Sequence, residues 1–213
     1  SYYHLVDESH PIGKTGSRAS QKLPEDSFVF SSFVNSYKIT AQWFDLWLEI
    51  LLNCNNAVLW LGVGNTFTQS NLLARASKKG LADRIFFANR VPKKADHLAR
   101  LKHADLALDT PCFNGMTTTH DSLIAGVPVL TLEGRSFSEM VCPALMKYLN
   151  LEDLVAKDAE DFLQKALDFY ENKEKLKNLR QRCSKLVESP VLQAHRVVKD
   201  LEKIYSRLAV SAP

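Results

Sequence analysis

The feature that most constrains this chain is a repeated alternation of a short apolar run, a polar turn and a segment of helical period. Apolar runs fall at residues 28–33, 57–61, 84–88, 106–108 and 127–130. They are short and nearly unbroken, as expected of strands buried on both faces. Helical periods follow each run, the first after Thr40 and the others near residues 68–79, 93–103, 118–125 and 138–149. Thr40 is placed to cap the first helix, which carries Trp43, Phe44, Trp47, Ile50 and Leu51 on one face, and Gly80 is placed to stop the second. Strands alternating with helices in this way predict an α/β fold, a Rossmann-like parallel sheet with helices on both faces.

Beyond Asp158 the period is helical throughout. Phe162, Leu163, Ala166, Leu167 and Tyr170 make one stripe, and Leu176, Leu179, Cys183 and Leu186 a second. After a break at Ser189-Pro190, Val197, Val198, Leu201, Ile204, Tyr205 and Leu208 make a third. Each helix has one apolar face to bury, so the expectation is a helical pack against the sheet. The division that follows is an N-terminal segment or linker over 1–27, a nucleotide-binding sheet domain over 28–158 and C-terminal helices over 159–213. Within the first segment, residues 2–6 fit a short strand, and residues 10–22, rich in Gly, Ser and basic side chains, read as loop.

The 213 residues are 46% hydrophobic and 24% charged, the balance of a soluble globular chain. The net charge of +3 is spread along the sequence, so neither nucleic acid nor a membrane surface is expected as a partner. No apolar run approaches the roughly 20 residues needed to span a bilayer. The four cysteines, Cys54, Cys112, Cys142 and Cys183, form no C-x-x-C pair and are not spaced with His97 or His103 as zinc ligands. They read as free thiols, mostly buried, in a reducing compartment. A chain that opens on Ser1 reads as a fragment.

In an open parallel sheet, ligands bind in the loops outside the carboxyl ends of the strands. The most informative loop runs from Leu108 through Asn114-Gly115 to Thr117, Thr118 and Asp121. Gly115 permits close approach of a ligand, the threonines sit at a positive helix end suited to phosphate, and Asp121, placed in the first turn, could bridge ribose hydroxyls. Taken alone, these residues read as a helix cap and a dipole partner. The loop from Asn35 to Thr40 carries Lys38, which alone reads as a solvated lysine. Lys94, His97 and Arg100 fall on about one helix face, which alone reads as a basic exposed surface. Gly62-Val63-Gly64-Asn65 begins a dinucleotide fingerprint, but Phe67 occupies the third glycine position, and it reads as a turn.

The string LDTPCFNGMTTTHDSLIAGVPVLTLEG, residues 108–134, resembles the donor-binding segment of the O-linked N-acetylglucosamine transferase family, which includes the SPINDLY-type proteins. The segments FVNSYKIT, PKKADHLARLKHAD and SPVL match in the same order, so the resemblance covers roughly residues 27–208. It implies one half of a GT-B glycosyltransferase, the lobe that binds UDP-GlcNAc. The enzyme it implies transfers the sugar to Ser or Thr hydroxyls of proteins, with inversion and without a metal or other cofactor. Lys38 matches the catalytic lysine that contacts the β-phosphate and steadies the UDP leaving group, and Asn35 a position beside the phosphates. Lys94 and His97 match residues on the uracil, with Arg100 a basic neighbour. Thr117 and Thr118 match the diphosphate-binding pair, and Asp121 the carboxylate on the ribose.

Met116 stands where animal members carry His, and Glu139 where the family commonly has Arg, with no role assigned to it. The acceptor protein would be held by an upstream lobe and helical repeats of the TPR type that this chain lacks, and the expected localisation is cytoplasmic, extending to the nucleus in a eukaryote. The resemblance leaves open GDP-fucose or UDP-glucose as the donor, and a non-catalytic nucleotide-binding or scaffold module.

Overall fold

The structure is a computed structural model that describes residues 11–185 and 194–210. The expectations for residues 2–6, Leu186 and the SPVL segment lie outside the described residues. The strands are β1 (Phe28–Ser32), β2 (Ala57–Leu61), β3 (Ile85–Phe87), β4 (Leu106–Leu108), β5 (Val129–Leu132) and β6 (Val155–Ala156). Every pairing is parallel, in the order β3-β2-β1-β4-β5-β6, with Phe30 of β1 opposite Leu59 on one side and Leu106 on the other. The five apolar runs are the first five strands. The two-residue β6 was not expected, because so short a strand leaves no period in the sequence.

The helices are α1 (Ala41–Asn53), α2 (Thr66–Ser77), α3 (Lys94–Leu101), α4 (Thr117–Ile124), α5 (Phe137–Tyr148), α6 (Ala159–Glu171), α7 (Lys173–Lys185) and α8 (Ala194–Val210). Local chemistry sets their starts. Thr40 Oγ1 accepts from the Trp43 amide at 3.2 Å, and α1 buries Trp43, Phe44, Trp47, Leu48, Ile50 and Leu51. The Gly62–Asn65 segment is a turn, and Asn65 Oδ1 accepts from the Thr68 amide at 2.9 Å, so α2 begins at Thr66, two residues before the expected start. Gly80 takes a φ of 69° beyond the end of α2. Glu139 completes a capping box with Ser136 at the start of α5, a local structural role for the departure seen in the sequence.

One hydrophobic cluster joins the sheet to α6 and α7, which contribute Phe162, Ala166, Phe169, Leu176, Leu179 and Cys183. The third stripe departs from the expected packing. Val198, Leu201, Ile204, Tyr205 and Leu208 of α8 are exposed, from 38% to 65%. The N-terminal segment is likewise more than a linker. Leu23 is buried, and Arg18 donates to the carbonyls of Ser27 and His103 and pairs with Asp105 at 2.8 Å. The four cysteines are free; Cys54, Cys142 and Cys183 are buried and Cys112 is exposed.

Strand order reverses between β1 and β4, and the loops leaving their carboxyl ends diverge to open a crevice. The two ends are fastened together. Ser32 Oγ donates to the Leu108 carbonyl at 2.8 Å, and Trp43 Nε1 donates to the Asp109 carbonyl at 2.8 Å. The fold thereby brings the Lys38 loop against the Asn114-Gly115 loop, 76 residues further along the chain.

Candidate functional site

The loop after β1 closes in a 3-10 turn over Ser36–Lys38, with the Lys38 amide donating to the Asn35 carbonyl at 3.0 Å. Asn35 is exposed at the mouth of the crevice. Lys38 reaches across the crevice, where its Nζ donates to the Asn114 carbonyl at 2.9 Å and lies 4.0 Å from the centre of the Phe113 ring. Partial burial pushes the Lys38 pKa down, and the nearby Asp109 opposes that shift. Phe113 thus offers the lysine a ring face, a favourable contact for a cation short of water.

The loop from β4 to α4 is held by a buried polar network. Asp109 accepts from the Gly115 amide at 2.7 Å through one carboxylate oxygen and from Thr131 Oγ1 at 2.7 Å through the other. Asn114 donates from its side chain to the Thr110 carbonyl at 2.9 Å and accepts from the Cys142 amide at 3.3 Å. Gly115 is required by space. A Cβ there would meet Thr119 Oγ1 at 2.6 Å and Thr118 Oγ1 at 2.7 Å. Asp109 is only 2% exposed, and burial drives its pKa from 3.8 to about 6 against the pull of its hydrogen bonds.

The threonines sit where an anion would find them. Met116, not a threonine, occupies the N-cap of α4 and makes no side-chain cap bond, so Thr117 and Thr118 are the first two helical residues. No capping side chain covers the amides of this first turn, which carries the positive end of the helix dipole. Asp121 was expected in that first turn and instead lies at the fifth helical position, one turn deeper.

There Asp121 is 4% exposed, ion-paired with Lys94, and 3.4 Å from His97 Nε2. Burial alone would raise its pKa, but the bonds from His97 and Lys94 prevail and hold it below the usual carboxylate value. Arg100 turns inward. Its guanidinium donates to the Asn89 carbonyl, lies 3.0 Å from His97 Nδ1 and sits 5.0 Å from the Phe33 ring. A guanidinium has only donors, so His97 Nδ1 is the acceptor and the ring proton lies on Nε2, facing Asp121. Arg100 therefore steadies His97 from behind. Burial lowers its pKa.

The structure thus brings Lys38, Thr117, Thr118, Lys94, His97 and Asp121 to one end of the sheet, with Asn35 at the rim and Arg100 in support. The sequence reading gave no role to Asp109, Asn114, Phe113 or Phe33. One signal was available: Asp109 is a charge placed directly after a fully apolar strand. The contacts of Phe33 and Phe113 are set by folding alone.

A cavity of about 870 Å³ lies at the other end of the sheet, between Arg18, Asp105, Tyr170, Lys177 and Arg180. Two of its cations are already engaged, Arg18 with Asp105 and Arg180 with the carbonyls of Ala104 and Asp105. The crevice at the carboxyl ends encloses only about 20 Å³, between Ser32, Asp109, Thr118 and Ser122. We place the site there because the strand order reverses at that point and the helix amides and cation converge on it. Among the described residues, no helix is long and apolar enough to cross a membrane.

The model of glycosyl transferase family 41 matches residues 8–201. The chain is 33% identical over 195 residues to the probable UDP-N-acetylglucosamine–peptide N-acetylglucosaminyltransferase SEC of Arabidopsis thaliana, covering 90% of this chain and 20% of the relative. It is 34% identical over 165 residues to the UDP-N-acetylglucosamine–peptide N-acetylglucosaminyltransferase of Caenorhabditis elegans, covering 77% of this chain and 14% of the relative. Among solved structures, an O-GlcNAc transferase mutant from Thermobaculum terrenum superposes with a TM-score of 0.78 at 29% identity, over 85% of this chain and 36% of that one. HepE of Anabaena, solved with UDP and glucose, shares the fold with a TM-score of 0.68 at 13% identity, over 97% of this chain and 56% of that one.

Proposed function

The chain belongs to glycosyl transferase family 41, and on that premise we propose that it is the UDP-GlcNAc-binding lobe of a protein O-N-acetylglucosaminyltransferase. The chain spans 20% and 14% of the two curated relatives described above, so the acceptor-holding parts belong to the remainder of such a protein. The observation that carries the reading is the convergence of Lys38 with the side-chain-uncapped start of α4 at the point where strand order reverses.

In this reading the diphosphate lies against the first-turn amides and hydroxyls of Thr117 and Thr118, with Asn35 beside it and Lys38 on the β-phosphate. The uracil lies against Lys94 and His97, and the ribose hydroxyls donate to Asp121. A Ser or Thr hydroxyl of the acceptor attacks the anomeric carbon from the face opposite UDP. As the new C–O bond forms, the hydroxyl gives up its proton to solvent, the bond to UDP breaks, configuration inverts, and negative charge grows on the departing β-phosphate. Lys38 and the α4 dipole are already in place to meet that charge, which is the most effective form of electrostatic catalysis. We read the transfer as metal-independent on this account, and the setting as cytoplasmic.

Lys38→Ala is expected to lower kcat by about 10²–10³-fold, the usual cost of losing one preorganised donor to a developing charge. Asp121→Ala should weaken UDP binding, with isothermal titration calorimetry on the full-length protein as the measurement. UDP affinity unchanged in both variants would exclude the assignment. The Lys94–His97–Asp121 cluster does not by itself name the base or the sugar, so GDP-fucose and UDP-glucose remain the competing donors; titrating UDP against GDP separates them on the base.

A further inference from the structure

Asp109 is a buried carboxyl group that the proposed chemistry leaves unused. Its carboxylate bridges the Gly115 amide at the head of the donor loop and the Thr131 hydroxyl on β5. Lys38, from the facing loop, donates to the Asn114 carbonyl, the other end of the same peptide unit. The ionisable groups set against Asp109 are Lys38 from the β1 loop and Cys142 from α5; β5 brings Thr131 and α1 brings Trp43, neither of which titrates. We infer that Asp109 is a positioning residue: its carboxyl holds the Asn114-Gly115 turn and balances Lys38 before the donor binds, and it takes up one proton when the diphosphate claims Lys38.

The linkage is electrostatic and rests on the donor assignment above. Before binding, the attraction that raises the Lys38 pKa is mutual, so it also favours the charged form of Asp109, as a smaller effect than burial and the hydrogen bonds. A diphosphate beside Lys38 cancels that influence and adds negative charge, and both changes disfavour the carboxylate. The group already stands at about 6, so a modest further rise carries it through neutrality. A proton then passes from solvent to one carboxylate oxygen. The new hydroxyl can donate to Thr131 Oγ1, while the other oxygen still accepts from the Gly115 amide, so the loop keeps its shape. Donor binding and proton uptake become linked.

The test is calorimetry of UDP-GlcNAc binding to the full-length protein near pH 7, in buffers of differing ionisation enthalpy. The donor's diphosphate is a diester with no proton to exchange in this range. The wild-type protein should take up a fraction of a proton, and its affinity should fall about threefold per pH unit as pH rises through neutrality if half a proton is taken up. Asp109→Asn keeps an amide oxygen for Gly115 and should bind without proton uptake and with a flatter pH profile. Thr131→Val removes one bond to the carboxylate in both the free and the bound state, and should move the pH of greatest uptake upward. Tight wild-type binding with no proton uptake overturns the inference alone, as does uptake that persists undiminished in Asp109→Asn, which would place the proton on another group. Absence of UDP-GlcNAc binding by the wild-type protein instead defeats the donor reading on which the inference rests.

Discussion

Two carboxylates, Asp109 and Asp121, are almost equally buried and are driven in opposite directions. Asp121 has a lysine and a histidine as partners, whose bonds outweigh its desolvation, whereas Asp109 is bound by an amide and a hydroxyl that do not. The stability consequences differ in sign. The folded pKa of Asp109 lies above its unfolded value, so the folded state binds this proton more tightly, and Asp109 favours folding increasingly as pH falls from about 6 toward 3.8. Above that window the wild-type chain carries a buried charge at a cost. Asp109→Asn is therefore expected to raise the melting temperature at pH 7.5, with the gain shrinking as pH drops below about 6, as thermal denaturation across pH would show. A variant less stable than wild type at pH 7.5 would mean that the two charged hydrogen bonds outweigh desolvation. The types of both residues were legible in the sequence, but their opposite environments were not, because the partners come from α3 and β5.

At the level of elements, the first five strands and the helices around them followed from periodicity, since burial on both faces leaves unbroken apolar runs. The shifts in the element boundaries have local causes. Asn65 caps α2 earlier than the period suggested, and Met116 takes the cap of α4 and leaves Thr117 and Thr118 inside the helix. The latter shift matters for function, since a threonine at the cap would occupy the first-turn amides that an anion needs. Thr40 shows the contrasting case of a cap with a purely structural task. Thr40→Ala should cost about 1 kcal/mol of stability in a denaturant titration. UDP affinity should stay unchanged, because the Trp43 bond to Asp109 is fixed by packing in the core.

For the molecule as a whole, the decisive property is the strand order, which places the loops after β1 and β4 side by side. The helical pack is shared unevenly. α6 and α7 belong to the core, while the apolar residues of α8 are exposed. Replacing Leu201 and Ile204 together with Glu should therefore change the stability of this chain by no more than about 0.5 kcal/mol per site, the range for surface positions. A large loss in melting temperature would show that the stripe is buried in solution.

By itself the sequence determined the α/β class, the strand-to-helix rhythm and, through its resemblance to a known family, the residues that gather at the crevice. These are properties of short stretches, set by period, capping and motif. Only the tertiary structure decided that Lys38 meets Asn114, that Arg100 supports His97, that Asp121 lies a turn inside α4, and that Asp109 is buried with no cation among its hydrogen-bond partners. Each of these depends on contacts between residues far apart in the chain, and such contacts fix the local charge and solvation that a linear pattern does not encode.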